Sequence, residues 1–221
     1  MERNKKKNTK YEILQFATKL FIEKGYSSTY TTSIANELGI SPGNLTFHFP
    51  TKEHILAELI KELCMLPKRE EERVTKGEHA LLVGYLLELV MIASVGQENQ
   101  NIKDLIVSAY THPMSFGIIR ESDTKRAAEV FGKYCPEWTE TDYIQTENVV
   151  SGIEYALLMT ENTEKISFEQ RVISSLNAIM KVYDIPEDIR KSVIEEIMAM
   201  DYCNMGKHVF EEFCNYVEEK M

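Results

Sequence analysis

Apolar side chains recur along this chain at spacings of three and four residues, which is the period of an amphipathic α-helix. The first of these stripes consists of Ile13, Leu14, Ala17, Leu20 and Phe21. Further stripes lie within residues 55–63, 81–93, 102–110, 127–134, 144–157, 172–183, 189–198 and 209–217. No segment shows a convincing alternation of apolar and polar residues, which a half-buried strand requires. The pattern therefore predicts an all-α protein.

Capping residues indicate where several of these helices begin and end. Thr9 can cap the first helix and Gly25 can end it. Ser167 and Gln170 have the spacing of a capping box. Residues 185–221 carry two stripes, and a break between two helices is expected near residues 204–206.

Residues 31–50 carry the sharpest motif of the chain. A helix-turn-helix unit needs small and apolar residues at fixed positions, because its two short helices cross steeply around a small core. Those positions hold Ile34, Ala35, Leu38, Gly39, Ile40 and Leu45. Thr31 or Thr32 can cap the first helix, and Ser41 can cap the second. The spacing predicts a helix-turn-helix, which either binds DNA or forms an ordinary helical corner.

The distribution of charge favours DNA over the plain corner. The net charge of −10 speaks against nucleic acid, but residues 1–60 hold eight Lys or Arg and six Asp or Glu. The remaining residues hold seventeen and twenty-nine. The chain thus has a basic N-terminal arm, expected to be disordered without DNA, and an acidic body.

Other classes of protein find little support in the sequence. The four Cys show no paired spacing and the five His lie far from them, which argues against a disulfide framework or a zinc site. No Gly-rich phosphate loop, nucleophile elbow or HExxH motif occurs, so we expect no enzyme, no cofactor and no metal. No apolar run is judged long enough for a membrane span, and no secretory signal is evident, which favours the cytoplasm.

The region from Lys10 to Leu63 resembles the TetR family of bacterial transcriptional regulators. The resemblance rests on the pattern ILQFATKLFIEKGYSSTYTTSIANELGISPGNLTFHFPTKEHIL, which spans residues 13–56. It implies a three-helix DNA-binding domain over residues 1–50 and a larger helical domain for ligand binding and dimerisation over residues 51–221. The remaining three quarters of the chain shows only the helical character that such domains share.

The resemblance also implies which residues contact DNA, since family members place the second helix of the unit in the major groove. The implied DNA-binding residues are Thr31, Thr32, Ser33, Gly43, Asn44, Thr46, Phe47, His48 and Lys52. Where the family usually carries a Tyr that contacts a phosphate, this chain has Thr46, whose hydroxyl has a shorter reach. Phe47 is balanced between the core and a thymine methyl contact. Phe49 is expected in the core and His54 on the surface.

For the body, the candidate residues are aromatic, soft or small. The candidate effector-binding residues are Tyr85, Tyr110, His112, Met114, Trp138, Tyr155 and Met159. Any one of them could equally fill an ordinary core. The candidate dimer contacts are Val149, Gly152, Ile153, Ala156, Leu176 and Ile179. These could instead pack within their own chain, and residues 185–221 could extend the interface or cover a pocket.

Together these features predict a ligand-responsive transcriptional regulator, a repressor that binds a palindromic operator as a homodimer. Its partners would be double-stranded DNA, a second copy of the chain and an unknown small molecule, with no membrane involved. An effector in the body would tilt the fourth helix and change the separation of the two recognition helices. The alternatives are a DNA-binding architectural or partner-regulated protein without a small-molecule ligand, and a helical interaction or enzyme module whose helix-turn-helix is incidental.

Overall fold

The structure is a computed structural model that describes residues 2–64 and 76–220, with the side chains of residues 9–64 and 76–217. Over these residues it contains only α-helices and no strand, which confirms the predicted all-α class. The helices are α1 (Glu2–Lys24), α2 (Thr31–Glu37), α3 (Pro42–His48), α4 (Lys52–Cys64), α5 (Ala80–Glu98), α6 (Gln100–Thr111), α7 (Pro113–Phe131), α8 (Glu140–Met159), α9 (Phe168–Val182), α10 (Glu187–Met198) and α11 (Tyr202–Lys220).

The helix ends follow local hydrogen-bonding chemistry, with three corrections to the sequence expectations. The Ser167 capping box is confirmed, since its Oγ accepts from the backbone N–H of Gln170. The backbone of residues 2–8 continues α1, so the N-terminal arm is helical and Thr9 lies inside the helix. Tyr30, and neither Thr31 nor Thr32, is the N-cap of α2. The break between the last two helices falls at residues 199–201 instead of 204–206.

The chain divides into two compact units, and the first combines segments distant in sequence. Its described residues are 2–64, 96–119 and 208–220. It contains α1 to α4, where Ile13, Ile34 and Leu56 are fully buried. The same core includes Leu105 and Ala109 of α6 and Phe213 and Val217 of α11, each less than a tenth exposed. The end of the chain therefore belongs to the core of the helix-turn-helix.

The second unit comprises residues 76–95 and 120–207 among the described residues. Helix α8 packs against α9, and the stacked rings of Phe131 and Tyr183, with centroids 3.7 Å apart, lie in its interior. Helix α5 is long and apolar enough to cross a membrane, so the expectation that no apolar run is long enough is wrong. However, 72% of the most apolar stretch of α5 is buried inside the protein, which identifies α5 as a core helix.

Candidate nucleic-acid interface

The helix-turn-helix forms as its residue spacing predicts. Ile34, Ala35 and Leu45 are at most 1% exposed and join the shared core of α1 to α4. Gly39 has a φ of +65°, a left-handed conformation that a residue with a Cβ adopts only with strain, and the chain turns there between α2 and α3. The N–H of Ile40 donates to the carbonyl of Ala35 at 3.0 Å, which closes the turn. Local packing thus fixes α3 relative to α2.

The outward face of α3 carries most of the residues that the resemblance assigns to base contacts. Ser41 caps the helix by accepting from the N–H of Asn44 at 3.1 Å, and Pro42 occupies its first turn. Gly43, Asn44, Thr46 and Phe47 are all exposed, whereas Leu45 points into the core. The helix therefore presents a continuous surface of small, polar and aromatic groups.

Phe47 is exposed and Phe49 is buried, which decides for each of them between a place in the core and a place on the surface. Phe47 is 68% exposed, and its ring meets that of His48 edge-on at 5.2 Å. Phe49 is 3% exposed and belongs to the core, as expected. Phe47 is therefore a surface residue, available for apolar contact with a thymine methyl. His48 is half-buried beside it.

Thr46 is exposed, but its hydroxyl proton already has a partner. Its Oγ1 donates to the carbonyl of Gly43 at 3.2 Å, one turn back in the same helix. A Thr hydroxyl has a single O–H donor. Thr46 can thus donate to a phosphate only by rotating away from Gly43, which weakens the contact that its position suggested.

The start of α2 supplies the candidate phosphate contacts. Thr32 is exposed, while Thr31 and Ser33 are half-buried. Beside them Tyr30 is 65% exposed, which the sequence interpretation missed because Tyr30 belongs to no periodic stripe. A Tyr hydroxyl is a common donor to DNA phosphates, so Tyr30 joins the candidates.

Lys52 anchors the loop of residues 25–30, which joins α1 to α2. Its Nζ donates to the carbonyls of Tyr26 at 2.7 Å and Thr29 at 2.9 Å, and it lies 4.2 Å from the centre of the Tyr26 ring. Burial lowers the pKa of Lys52, although Glu53 and Asp104 oppose that shift. An ammonium has three N–H donors, so at most one remains for a phosphate. His54 lies on the surface, as expected, with its Nδ1 3.0 Å from Thr51 Oγ1.

The candidate effector-binding residues are divided between the two units. Tyr110, His112 and Met114 lie in the first unit, where Met114 is 39% exposed. Tyr85, Trp138, Tyr155 and Met159 lie in the second, where Met159 is 41% exposed. Within the second unit only two of these flank the stacked aromatic pair. Tyr85 lies 5.3 Å from Phe131 and Trp138 lies 5.6 Å from Tyr183, between ring centroids.

A buried polar stripe on α8, which sequence reasoning missed, lies in the same interior. Glu147, Ser151 and Glu154 follow one face of the helix and are at most 5% exposed. Glu147 Oε1 accepts from the hydroxyl of Tyr183, while its Oε2 and the hydroxyl of Tyr85 are buried with no hydrogen-bond partner within the described structure. Burial raises the pKa of Glu147, although the hydrogen bond from Tyr183 and the charges of Arg120 and Arg126 oppose that shift, and burial also raises the pKa of Tyr85.

The candidate dimer contacts separate into surface and core. On α8, Val149 is 54% exposed, Gly152 and Ala156 are exposed, and Ile153 is half-buried. Leu176 and Ile179 on α9 are both completely buried within the chain. Because they leave no side-chain surface for a second copy, their assignment to the interface is wrong. They form the core between α9 and its neighbours instead.

A shallow cleft of about 270 Å³ opens where α8 connects to α9. Arg171 lines it and is held by the connection, since its guanidinium donates to the carbonyl of Leu157 at 3.0 Å and to Asn162 Oδ1 at 2.8 Å. None of the candidate effector-binding residues lines this cleft. Arg171 therefore serves to terminate α8 and fix the turn.

Comparison with known proteins locates the similarity in the helix-turn-helix region. Residues 13–59 match the family described as bacterial regulatory proteins, tetR family. The HTH-type transcriptional regulator QacR of Staphylococcus aureus (strain Mu50 / ATCC 700699) is 43% identical over 53 residues, which are 24% of this chain and 28% of QacR. The Fatty acid metabolism regulator protein of Bacillus subtilis (strain 168) is 33% identical over 85 residues, 36% of this chain and 44% of the relative.

Over the whole chain the similarity is fainter. A crystal structure of a bacterial regulatory protein in the tetR family from Rhodococcus RHA1 aligns with a TM-score of 0.43 and 19% identity, covering 80% of this chain and 95% of that one. The chain spans less than half the length of the relatives that it matches in sequence. The shared segment is nevertheless the one that builds α2, the turn and α3. Residues 13–59 therefore form a helix-turn-helix domain of the tetR family of bacterial regulatory proteins.

Proposed function

We propose that this chain is a cytoplasmic transcriptional repressor that binds a palindromic operator as a homodimer and releases it when a small molecule binds. The observation that carries the proposal is the exposed face of α3, where Gly43, Asn44, Thr46 and Phe47 surround a single buried anchor, Leu45. A helix with that arrangement fits the major groove, which is about 12 Å wide.

The side chains on α3 divide into two kinds of DNA contact. Asn44 carries both a donor and an acceptor, so it can pair with the N6 and N7 atoms of adenine. Phe47 offers an apolar surface to a thymine methyl. Thr31, Thr32, Ser33 and Tyr30 at the start of α2 are suited to phosphates, which fix the register of the protein without reading sequence.

The effector site in this proposal is the buried polar stripe of the second unit. Isolated buried carboxylates are costly, and groups left without partners are concentrated at functional sites. Glu147 Oε2 and the Tyr85 hydroxyl are two such groups within one aromatic interior. A small molecule that donates a hydrogen bond to Glu147 Oε2, forms a second hydrogen bond with the Tyr85 hydroxyl and stacks on an aromatic ring would satisfy both groups. Tyr85 and Trp138 are the sequence candidates retained in this site.

The homodimer in this proposal is formed by the exposed face of α8. Val149, Gly152 and Ala156 lie one turn apart along it, and Ile173 of the adjoining α9 is 40% exposed. Small residues allow helix backbones to approach closely across a two-fold axis. Two heads about one duplex turn apart, roughly 34 Å, would then read both halves of a palindrome.

The test begins by selecting duplexes that the full-length protein retains from a random-sequence library. Asn44→Ala is then compared with wild type on the selected duplex and on unselected DNA. If Asn44 reads a base, the substitution costs about 1–3 kcal/mol per half-site on the selected duplex and little on random DNA. Equal losses on both would reassign Asn44 to phosphates. Failure of the wild type to enrich any duplex would refute DNA recognition itself. Asn215→Ala, an exposed change on α11 that touches neither α3 nor the proposed dimer face of α8, is the matched control.

A further inference from the structure

We propose that α6 positions the helix-turn-helix, and that Asp104 is the positioning residue through which it holds the loop leading into α2. This inference rests on the proposed DNA binding by α3. Helix α6 lies outside the segment that matches the family, yet it shares the first compact unit with α1 to α4. Its contacts with the loop of residues 25–30 include hydrogen bonds between named side-chain and backbone groups.

Asp104 binds a single loop residue with both of its carboxylate oxygens. Oδ2 accepts from the backbone N–H of Ser27 at 2.7 Å, and Oδ1 accepts from the hydroxyl of the same residue at 2.6 Å. Hydrogen bonds to an ionised acceptor are shorter and stronger than neutral ones. The two bonds together fix both the position and the orientation of the loop at Ser27.

A second pair of contacts holds the end of α1 against the same helix. Asn101 Nδ2 donates to the carbonyl of Glu23 at 2.7 Å. Gly25 has a φ of +85°, and a Cβ added there would lie 3.0 Å from Asp104 Oδ2. The close fit therefore depends on a residue without a side chain. Asn99 caps α6 by accepting from the N–H groups of Asn101 and Ile102. This cap fixes the first turn of the helix, which carries Asn101, and the following turn, which carries Asp104.

The loop is held from the opposite side by α4 and ends where the candidate phosphate contacts begin. Lys52 donates to the carbonyls of Tyr26 and Thr29, and the Tyr26 ring lies 5.4 Å from that of His112 at the end of α6. Thr31 is the first residue of α2. A displacement of α6 is therefore transmitted from Ser27 through three residues of the loop to the start of α2.

The negative charge of Asp104 allows a positioning role to be distinguished from simple repulsion between its carboxylate and the DNA phosphates. A carboxylate in a DNA-binding unit repels phosphates, so its removal should tighten binding to every duplex if Asp104 has no positioning role. If it does position the loop, removal should weaken binding to the selected duplex, because the candidate contacts of α2 and α3 lose their register. The two explanations predict opposite signs.

The experiment uses the full-length protein and the duplex that the wild type selects. We expect Asp104→Ala to weaken binding roughly tenfold, within the range typical of coupling between sites. Asp104→Asn retains one acceptor in place, and Ser27→Ala retains the backbone bond, so both should show smaller losses. The double variant Ser27→Ala/Asp104→Ala should be no weaker than Asp104→Ala alone, because both changes remove one interaction. Ser28→Ala, the exposed neighbour, should bind as wild type does.

Each outcome decides the inference. Unchanged or tighter binding by Asp104→Ala and Asp104→Asn would overturn it while leaving DNA recognition by α3 intact. Additive losses in the double variant would also overturn it, since the two residues would then act separately. A wild type that enriches no duplex would remove the proposed function itself. If Asp104→Ala loses its helical circular dichroism, the milder Asp104→Asn and Ser27→Ala variants carry the test.

Discussion

Two phenylalanines at the end of α3 show how far residue-scale reasoning reaches. Phe49, which directly follows the helix-turn-helix positions, is expected in the core, and the structure confirms it at 3% exposure. For Phe47 the sequence leaves two interpretations open, the core and an apolar contact with a thymine methyl. Only its 68% exposure resolves the choice. Because Phe47 is a large apolar side chain exposed on a seven-residue helix, we expect it to contribute to binding more than to the stability of the fold.

We expect Phe47→Ala and Phe49→Ala to separate binding from stability. Truncating the exposed Phe47 should change the free energy of unfolding by no more than about 0.5 kcal/mol and weaken binding to the selected duplex. Truncating the buried Phe49 should cost about 3–5 kcal/mol of stability. Chemical denaturation and DNA titration of both variants check this. Unaltered DNA affinity in Phe47→Ala would remove Phe47 from the interface.

The buried stripe on α8 shows where residue-scale reasoning fails. Glu147 and Glu154 lie two turns apart on one face, and a helix face with acidic side chains is ordinarily solvated. Glu147 instead accepts from the hydroxyl of Tyr183, whose ring stacks on Phe131 beside Tyr85 of α5, and these partners lie far away in sequence. No local pattern predicts such an environment, whereas Tyr85 could be chosen because aromatic residues line pockets.

The raised pKa of Glu147 predicts a pH-dependent stability. An unfolded Glu releases its proton near pH 4.3, while the buried carboxyl retains it to higher pH. Between these values the unfolded state binds fewer protons, so stability falls as pH rises. A Gln at position 147 cannot ionise, so the Glu147→Gln variant should not lose stability in this way. The difference in unfolding temperature between the variant and the wild type should therefore increase in favour of the variant as the pH is raised from about 4 to about 8. Fluorescence of Trp138 reports the unit concerned. The exposed control Glu164→Gln should show a smaller change, and a constant difference for Glu147→Gln would refute the shift.

At the scale of elements, the sequence predicts those helices and caps that depend on residues close to one another in the chain. Helix α3, its Ser41 cap and the capping box of α9 all involve residues within a few positions of one another. The roles of Lys52 and Asp104 do not, because their partners lie 23 to 77 residues away in sequence. The same limit explains Leu176 and Ile179, whose apolar stripe was correct but whose partner proved to be their own chain.

Helix α11 gives an element-scale prediction, since its last turns complete the core of the first unit. Phe213 is 6% exposed within that core, whereas Asn215 on the same helix is exposed. Phe213→Ala should cost about 3–5 kcal/mol of stability and Asn215→Ala less than about 0.5 kcal/mol. The single Trp of the chain, Trp138, lies in the second unit, so its fluorescence distinguishes the units. We expect the circular dichroism transition to shift more than the fluorescence transition. Equal shifts of the two would mean that the units unfold together.

At the scale of the whole molecule, compactness and sequence similarity divide the chain differently. The family match ends at residue 59, and the predicted functional boundary after residue 50 stays a prediction. The first compact unit adds α6 and the end of α11 to the matched helices. Sequence order cannot reveal this, because a core assembled from three separate segments has no local signature. The consequence is that the DNA-binding helices share one core with residues from both the middle and the end of the chain.

The assembly of two copies provides the last prediction, and Gly152 is the residue that tests it. A Cβ added at Gly152 meets nothing within 4 Å in the single chain, so Gly152→Leu should leave the monomer folded and favour helix formation at that position. Across a two-fold axis the same change inserts two bulky groups into one seam, and overpacking costs about 1–3 kcal/mol each.

Gly117→Leu on α7 is the matched control, since a Cβ there is equally unhindered and the residue is likewise exposed in a helix. Sedimentation velocity should show a folded Gly152→Leu monomer and an unchanged Gly117→Leu dimer. Binding to the selected duplex should fall in the first variant alone, because a single head reaches only one half-site. A fully dimeric Gly152→Leu protein would move the interface away from the exposed face of α8.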